Sequence, residues 1–245
     1  MHHVVRLTLP RMPSTPGAPA RAAARREGAD APTELISAAE RLFAEKGIDG
    51  VSLREITREA HQRNTTALQY HFGGRDGLVR ALVQKHMHTV AVRRAALLDH
   101  IEGRDDLCLR DGAAILVQPV VAKLTDDDGG PEFLQIAGEL LNRTQRNIDP
   151  AEPVGPVIYD HLDTLDRWSA VFEALMPEGS TGPPLHRRFA VIRFAHIEIG
   201  RRARVGPPID VPLFTHQLLD MVAALLGAPL SEETQRLLAA RGDAR

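Results

Sequence analysis

The chain has 245 residues, of which 43% are hydrophobic and 25% charged, with one cysteine and a formal charge of −2. That is an ordinary globular composition, long enough for two modest domains or one large one. The lone Cys108 excludes an internal disulfide framework and suits a reducing compartment, and no run approaches the roughly 20 apolar residues of a membrane span. Aromatics make up only 4% of the chain, so the core must be Leu, Ala, Val and Ile, which favours helices. Cys108 itself reads as a small buried apolar residue. Charge is unevenly distributed: residues 1–85 hold 13 Lys and Arg against 9 Asp and Glu, whereas the remainder holds 17 against 23. A basic end on an acidic body suits a phosphate-binding head.

The first 30 residues carry Arg6, Arg11, Arg21, Arg25 and Arg26 with no acid before Glu27, among many Pro, Ala, Gly and Ser. They predict a disordered basic arm, either solvated or laid along DNA. Without an apolar signal region the arm argues against secretion, and the expected location is cytoplasmic. A first helix is expected to begin near Pro32, bury Leu35, Ala38, Ala39, Leu42 and Phe43, and stop at Gly47.

The stretch from Val51 to Asp76 organises the rest. Ser52 and Glu55 have the spacing of a capping box, with Val51 and Ile56 placed as its hydrophobic staple. Leu53, Ile56 and Ala60 recur at helical spacing, which leaves Arg54, Arg58 and Glu59 outside. His61-Gln62-Arg63-Asn64 breaks the pattern and ends in an Asn suited to cap a second helix, Thr65 to His71. That helix buries Ala67 and Leu68 with Phe72 and shows Thr65, Thr66, Gln69, Tyr70 and His71. Such a pair of helices serves either as a packing unit or as a reader of the DNA major groove.

From Thr33 to about Val83 the chain resembles the DNA-binding domain of the TetR/AcrR family of bacterial transcriptional regulators. The resemblance rests on Ala38-Ala39-Glu40-Arg41-Leu42-Phe43-Ala44-Glu45-Lys46-Gly47, Val51-Ser52-Leu53-Arg54-Glu55-Ile56, Leu68-Gln69-Tyr70-His71-Phe72 and Arg75-Asp76-Gly77-Leu78. It covers about a fifth of the chain. The chain departs from the family with His61 where Gly is usual, in a turn one residue longer than the commonest, with Gln69 where Tyr is common, and with Gly74 where Ser or Thr usually caps the next helix. The resemblance implies an all-α fold: a helix-turn-helix domain over residues 31–80, and a ligand-binding and dimerisation domain over 81–245. Thr65, Thr66 and Gln69 would then face base edges, and Arg54, Arg63, Asn64, Tyr70, His71 and Arg75 would hold phosphates.

Beyond the head, a long helix from Arg75 to Glu102 reads as the strut to the body. His86 and His88, two apart on it, point to different faces and read as surface histidines. Asp105-Asp106 start a stretch to Leu124 that Pro119 should kink. Asp126-Asp127-Asp128-Gly129-Gly130 lacks the ligand spacing of a calcium loop and reads as an acidic turn. Pro131 opens a helix with Phe133, Leu134, Ile136, Ala137, Leu140 and Leu141 inward. One amphipathic helix is expected over Val157 to Met176, then two last long helices, Leu185 to Arg204 and Pro212 to Leu226. In the family these two pack against their copies as a four-helix dimer interface.

The expected function is that of a ligand-responsive regulator, usually a repressor. It would bind a palindromic operator as a homodimer and be released by a small lipophilic molecule held near Phe133, Asn142, His161, Trp168, Phe172 and His196. A ligand-independent dimeric DNA-binding protein and an all-α enzyme are the alternatives. The sequence shows no P-loop, GxSxG, HExxH or CxxC, so no catalytic residue, metal site or cofactor is expected.

Overall fold

In the computed structural model, residues 18–62, 64–143, 148–206 and 210–242 are described, and among them there are α-helices and 3-10 turns but no strand. The expected all-α architecture is what the chain adopts. Helix α1 runs Ala18–Lys46, α2 Leu53–Glu59, α3 Thr66–Phe72 and α4 Arg75–Ile101. Helix α5 is Leu109–Val121, α6 Gly130–Arg143, α7 Thr164–Phe172, α8 Arg187–Val205, α9 Val211–Gly227 and α10 Glu232–Gly242.

Helix α1 starts well before Pro32, which lies inside it. The disordered arm expected over residues 1–30 therefore gives way to helix from Ala18 onward, and its first 17 residues lie outside the described chain. Alanine-rich sequence with interspersed arginine has high helix propensity, and this outweighs the hydrogen bond that Pro32 cannot donate. At the other end Gly47 takes a φ of +77° and donates to Phe43 O at 2.9 Å, as a C′ residue must. Leu35, Ala38, Ala39 and Phe43 are fully buried in one stripe, and Leu42, Ile56 and Leu68 join them, with Leu53 and Phe72 at the margin.

Helix α4 leaves the head and enters the body, buried on several faces by α1, α5, α6 and α7. It brings His86 inward, not to the surface: the ring is fully buried, stacks on Phe133 at 4.6 Å and sits 2.7 Å from Glu40 Oε1. His88 does face outward, where it stacks on His161. Helices α6 and α8 approach until their backbones touch. A Cβ on Gly200 would lie 2.6 Å from Leu134 O, and one on Gly138 would lie 3.1 Å from His196 O. Only glycine permits that crossing.

Three further expectations are corrected. Helix α5 starts at Leu109, and Cys108 is its exposed N-cap rather than a core residue: its N–H donates to Asp111 Oδ2 at 2.9 Å. The single helix expected over Val157 to Met176 is broken. Asp160 accepts the Leu162 and Thr164 N–H groups at 2.9 and 3.2 Å, and this side-chain turn outcompetes helix until α7 begins at Thr164. Helix α9 is followed by the unanticipated α10, whose first turn is capped by Ser231 Oγ accepting from Thr234 N at 3.2 Å. No single helix among the described residues is long and apolar enough to cross a membrane.

Candidate nucleic-acid interface

Helix α2 is set by its ends. Ser52 Oγ accepts from Glu55 N at 3.2 Å. The Glu55 carboxylate takes Lys46 Nζ at 2.5 Å, and this contact, aided by the Ser52 N–H, holds the carboxyl below its ordinary range. At the C-terminus Gln62 N donates to Thr57 O at 2.8 Å and His61 N to Arg58 O at 3.1 Å. That pair of bonds is a Schellman motif with His61 as its left-handed residue, at φ +53°.

The turn then passes to α3. Asn64 Oδ1 accepts from Thr66 N at 2.9 Å, so Asn64 shapes the turn two residues ahead rather than capping the helix as its N-cap. Leu68 anchors α3 in the core, and Gly73, at φ +69°, closes it. The outer face presents Thr66, Gln69, Tyr70 and His71 to solvent, with Tyr70 83% exposed and set edge-on to His71 at 5.0 Å. Thr65 is half-buried. Gln69 Nε2 donates to Gly73 O at 3.1 Å, so reading a base requires exchanging that carbonyl for one on the base pair.

Beside this face lies an open groove of about 620 Å³ lined by Arg54, Thr57, Arg58, His61, Gln62, Asn64 and Thr65. Arg54 and Arg58 carry no ion-pair partner among the described residues, whereas Arg41 and Lys46 are paired with Glu59 and Glu55. Two unpaired guanidinium groups in one concavity suit phosphate oxygens. Arg58 and His61 were not among the residues expected at the site. Arg58 was findable, since it follows Arg54 by one helical turn. Arg63 lies outside the described residues. Arg75 is elsewhere: it donates to Ile48 O at 2.5 Å and to Val51 O, and lies 5.9 Å from the Phe43 ring centroid. It braces the loop between α1 and α2, which removes it from the cations available to a phosphate.

The residues expected to hold a small molecule in the body are not gathered in one place. Asn142 and His161 are exposed. Phe133 packs on His86 near the head, whereas Trp168 and Phe172 stack on each other at 5.4 Å against α5, with Trp168 Nε1 donating to Gly112 O at 2.9 Å. His161 lines a cleft of about 240 Å³ with Arg80, Met87, His88 and Tyr159.

His196 is buried with its Nδ1 bonded to Ile192 O at 2.9 Å and its Nε2 unpartnered. Burial pushes its pKa down to about 4, and the nearby Arg94 charge adds to the effect. The unfolded chain binds this proton near pH 6.5 and the folded chain only near 4, so stability present at pH 7 is lost as pH falls between the two. Acidification to pH 5 is expected to cost about 2 kcal/mol through this group. Urea titrations at pH 7.5 and 5 check it: His196→Asn should show the smaller loss, and equal losses would place the acid sensitivity elsewhere.

Residues 35–82 match the family described as bacterial regulatory proteins, tetR family, which bears out the resemblance over this N-terminal segment. None of the curated proteins matches the chain. Among solved structures, the multidrug binding protein EbrR complexed with imidazole is 19% identical, covers 82% of this chain and 97% of its own, and has a TM-score of 0.44. A mutant of the HlyIIR protein is 15% identical over 83% and 99% of the two chains with a TM-score of 0.45. RolR without ligand is 18% identical over 78% and 95%, with a TM-score of 0.31.

Proposed function

We propose that this chain, whose residues 35–82 carry the DNA-binding domain of the tetR family, is a dimeric transcriptional repressor that a small molecule releases from its operator. The observation that carries the reading is the exposed polar face of α3 standing beside the Arg54 and Arg58 groove. Residues 31–80 form the DNA-binding unit and 81–245 the ligand-binding and dimerisation unit, in the cytoplasm.

On DNA, Thr65, Thr66 and Gln69 face base edges, Gln69 pairing with adenine, while Arg54, Arg58, Asn64, Tyr70 and His71 hold the backbone. One such head covers half an operator, so a pair related by two-fold symmetry is needed. Support for pairing comes from α9, where Leu213, Met221 and Leu225 leave an apolar stripe exposed, Leu213 by 66%. Four-helix packing of α8 and α9 against their copies would cover it. The effector is a small lipophilic molecule bound in the body. Its binding and that of DNA must weaken each other equally.

Gel-shift titration against the DNA upstream of the gene tests the reading, with sedimentation to read the two-chain mass. Gln69→Ala should relax preference at one base pair by about 1–3 kcal/mol. Arg54→Ala should weaken every duplex alike and flatten the salt dependence by about one unit per head. A protein that stays monomeric, or variants that bind as the wild type does, would overturn it.

A further inference from the structure

His61 occupies a position that costs it energy. In the Schellman motif that ends α2, the left-handed residue is normally glycine, because any Cβ there is strained by about 1–2 kcal/mol. Here the residue is an exposed histidine at φ +53°. Residues held in such backbone regions cluster at binding sites. The surroundings say what would bind. The imidazole lines the same groove as Arg54, Arg58, Asn64 and Thr65.

We infer that His61 is a proton-linked phosphate contact, an imidazolium that completes a three-cation cradle for the DNA backbone in the groove beside α3. The inference rests on the DNA-binding reading and adds to it. Among the described residues the charged groups lining the groove with His61 are Arg54 and Arg58 from α2, and Glu34 from α1 is engaged next door by Gln62 Nε2 at 3.0 Å. A phosphate seated in the groove favours the imidazolium over the neutral ring. Binding therefore takes up a proton. Affinity rises as pH falls through the pKa of the bound state and levels off below that of the free state. An opposite charge within about 4–6 Å favours the charged form by about 1–3 units, so a phosphate in contact with the ring gives a gain of about tenfold or more per head.

A phosphate contact is blind to sequence, so the probe is a mixed-sequence duplex of about three helical turns, in fluorescence anisotropy at constant low ionic strength from about pH 8.5 to 6. Wild type should gain about tenfold per head over that range, and its salt dependence should steepen by about one unit per head. His61→Gly should fold at least as stably, bind like wild type at the alkaline end and lose this gain. His61→Asn, which also tolerates the left-handed backbone, should behave as His61→Gly does. His71 on α3 is common to all three proteins, so its contribution cancels in the comparison. Equal pH dependence in wild type and both variants overturns the inference and leaves DNA binding standing. Wild type that binds no duplex at any pH overturns both.

Discussion

Replacing Asp160 with alanine is expected to destabilise the protein by about 3–5 kcal/mol, a large part of the total stability of a typical domain. The reason is Arg94, which sits on α4 in the middle of the body with 1% of its surface exposed. Its guanidinium reaches Thr164 Oγ1 at 3.0 Å, and that hydroxyl in turn donates to Asp160 Oδ2 at 2.6 Å, itself 3.7 Å from Arg94. Burial pushes the Arg94 pKa down to about 10, and the Asp160 charge works against that fall. Without the carboxylate the guanidinium remains charged at neutral pH with nothing to balance it in a dry interior. The substitution also frees the Leu162 and Thr164 N–H groups that Asp160 accepts, so the turn before α7 loses its anchor. Asp160→Asn keeps the shape and should lose less. Removing both charges with an Arg94→Met, Asp160→Leu pair should recover the part of the loss that comes from the unbalanced charge, because an apolar pair avoids desolvating two ions, while the freed N–H groups remain. Urea denaturation of the four proteins decides it. A loss under about 1 kcal/mol for Asp160→Ala would mean that Arg94 finds water or another partner.

The head is legible from sequence because its determinants are local. Gly47, Ser52 with Glu55, and the spacing of Leu53, Ile56 and Ala60 each act within one or two turns, and the structure uses them as read. His61 was visible as a departure from the family, yet its left-handed backbone was not, since nothing in the residue itself demands it. The α3 face is legible as exposed, but Arg75 is not legible as bracing, because its acceptors lie on a loop 24 and 27 residues earlier. The body fails where contacts are long-range. His86 reads as surface until Glu40, 46 residues away, is placed against it. The amphipathic run through Trp168 is periodic enough for one helix, and only the bonds of Asp160 break it. Pro32 marks a helix start on propensity grounds, whereas the Ala-rich run before it carries the helix further back.

Glu40→Ala is expected to cost about 3 kcal/mol and to loosen the join between head and body. Glu40 is a nearly buried carboxylate on α1 whose two oxygens receive Lys85 Nζ at 2.9 and 3.0 Å, with His86 Nε2 2.7 Å from one of them. Lys85 also donates to Asp128 O at 2.7 Å, which ties the same knot to the acidic turn before α6. Within that turn Asp128 and Asp126 are held by the fully buried Lys123 at 2.8 Å, and Asp126 also by Arg93 at 2.9 Å. The acids are thus matched by cations from α4 and from the 3-10 turn after α5, and the turn works as a clasp on α1. Gly129, at φ +91°, permits the closure: a Cβ there would lie 2.5 Å from Glu40 Oε2. Gly129→Ala should therefore lower stability in the same direction by a separate route, strain rather than lost pairing. Thermal unfolding gives the magnitude, and hydrogen exchange separates a local from a global effect. Faster exchange confined to α1 and residues 126–130 in Glu40→Ala identifies the clasp as a cooperative unit of its own. Unaltered exchange there would mean that the apolar contacts of Leu35, Phe43 and Phe133 hold the junction without it.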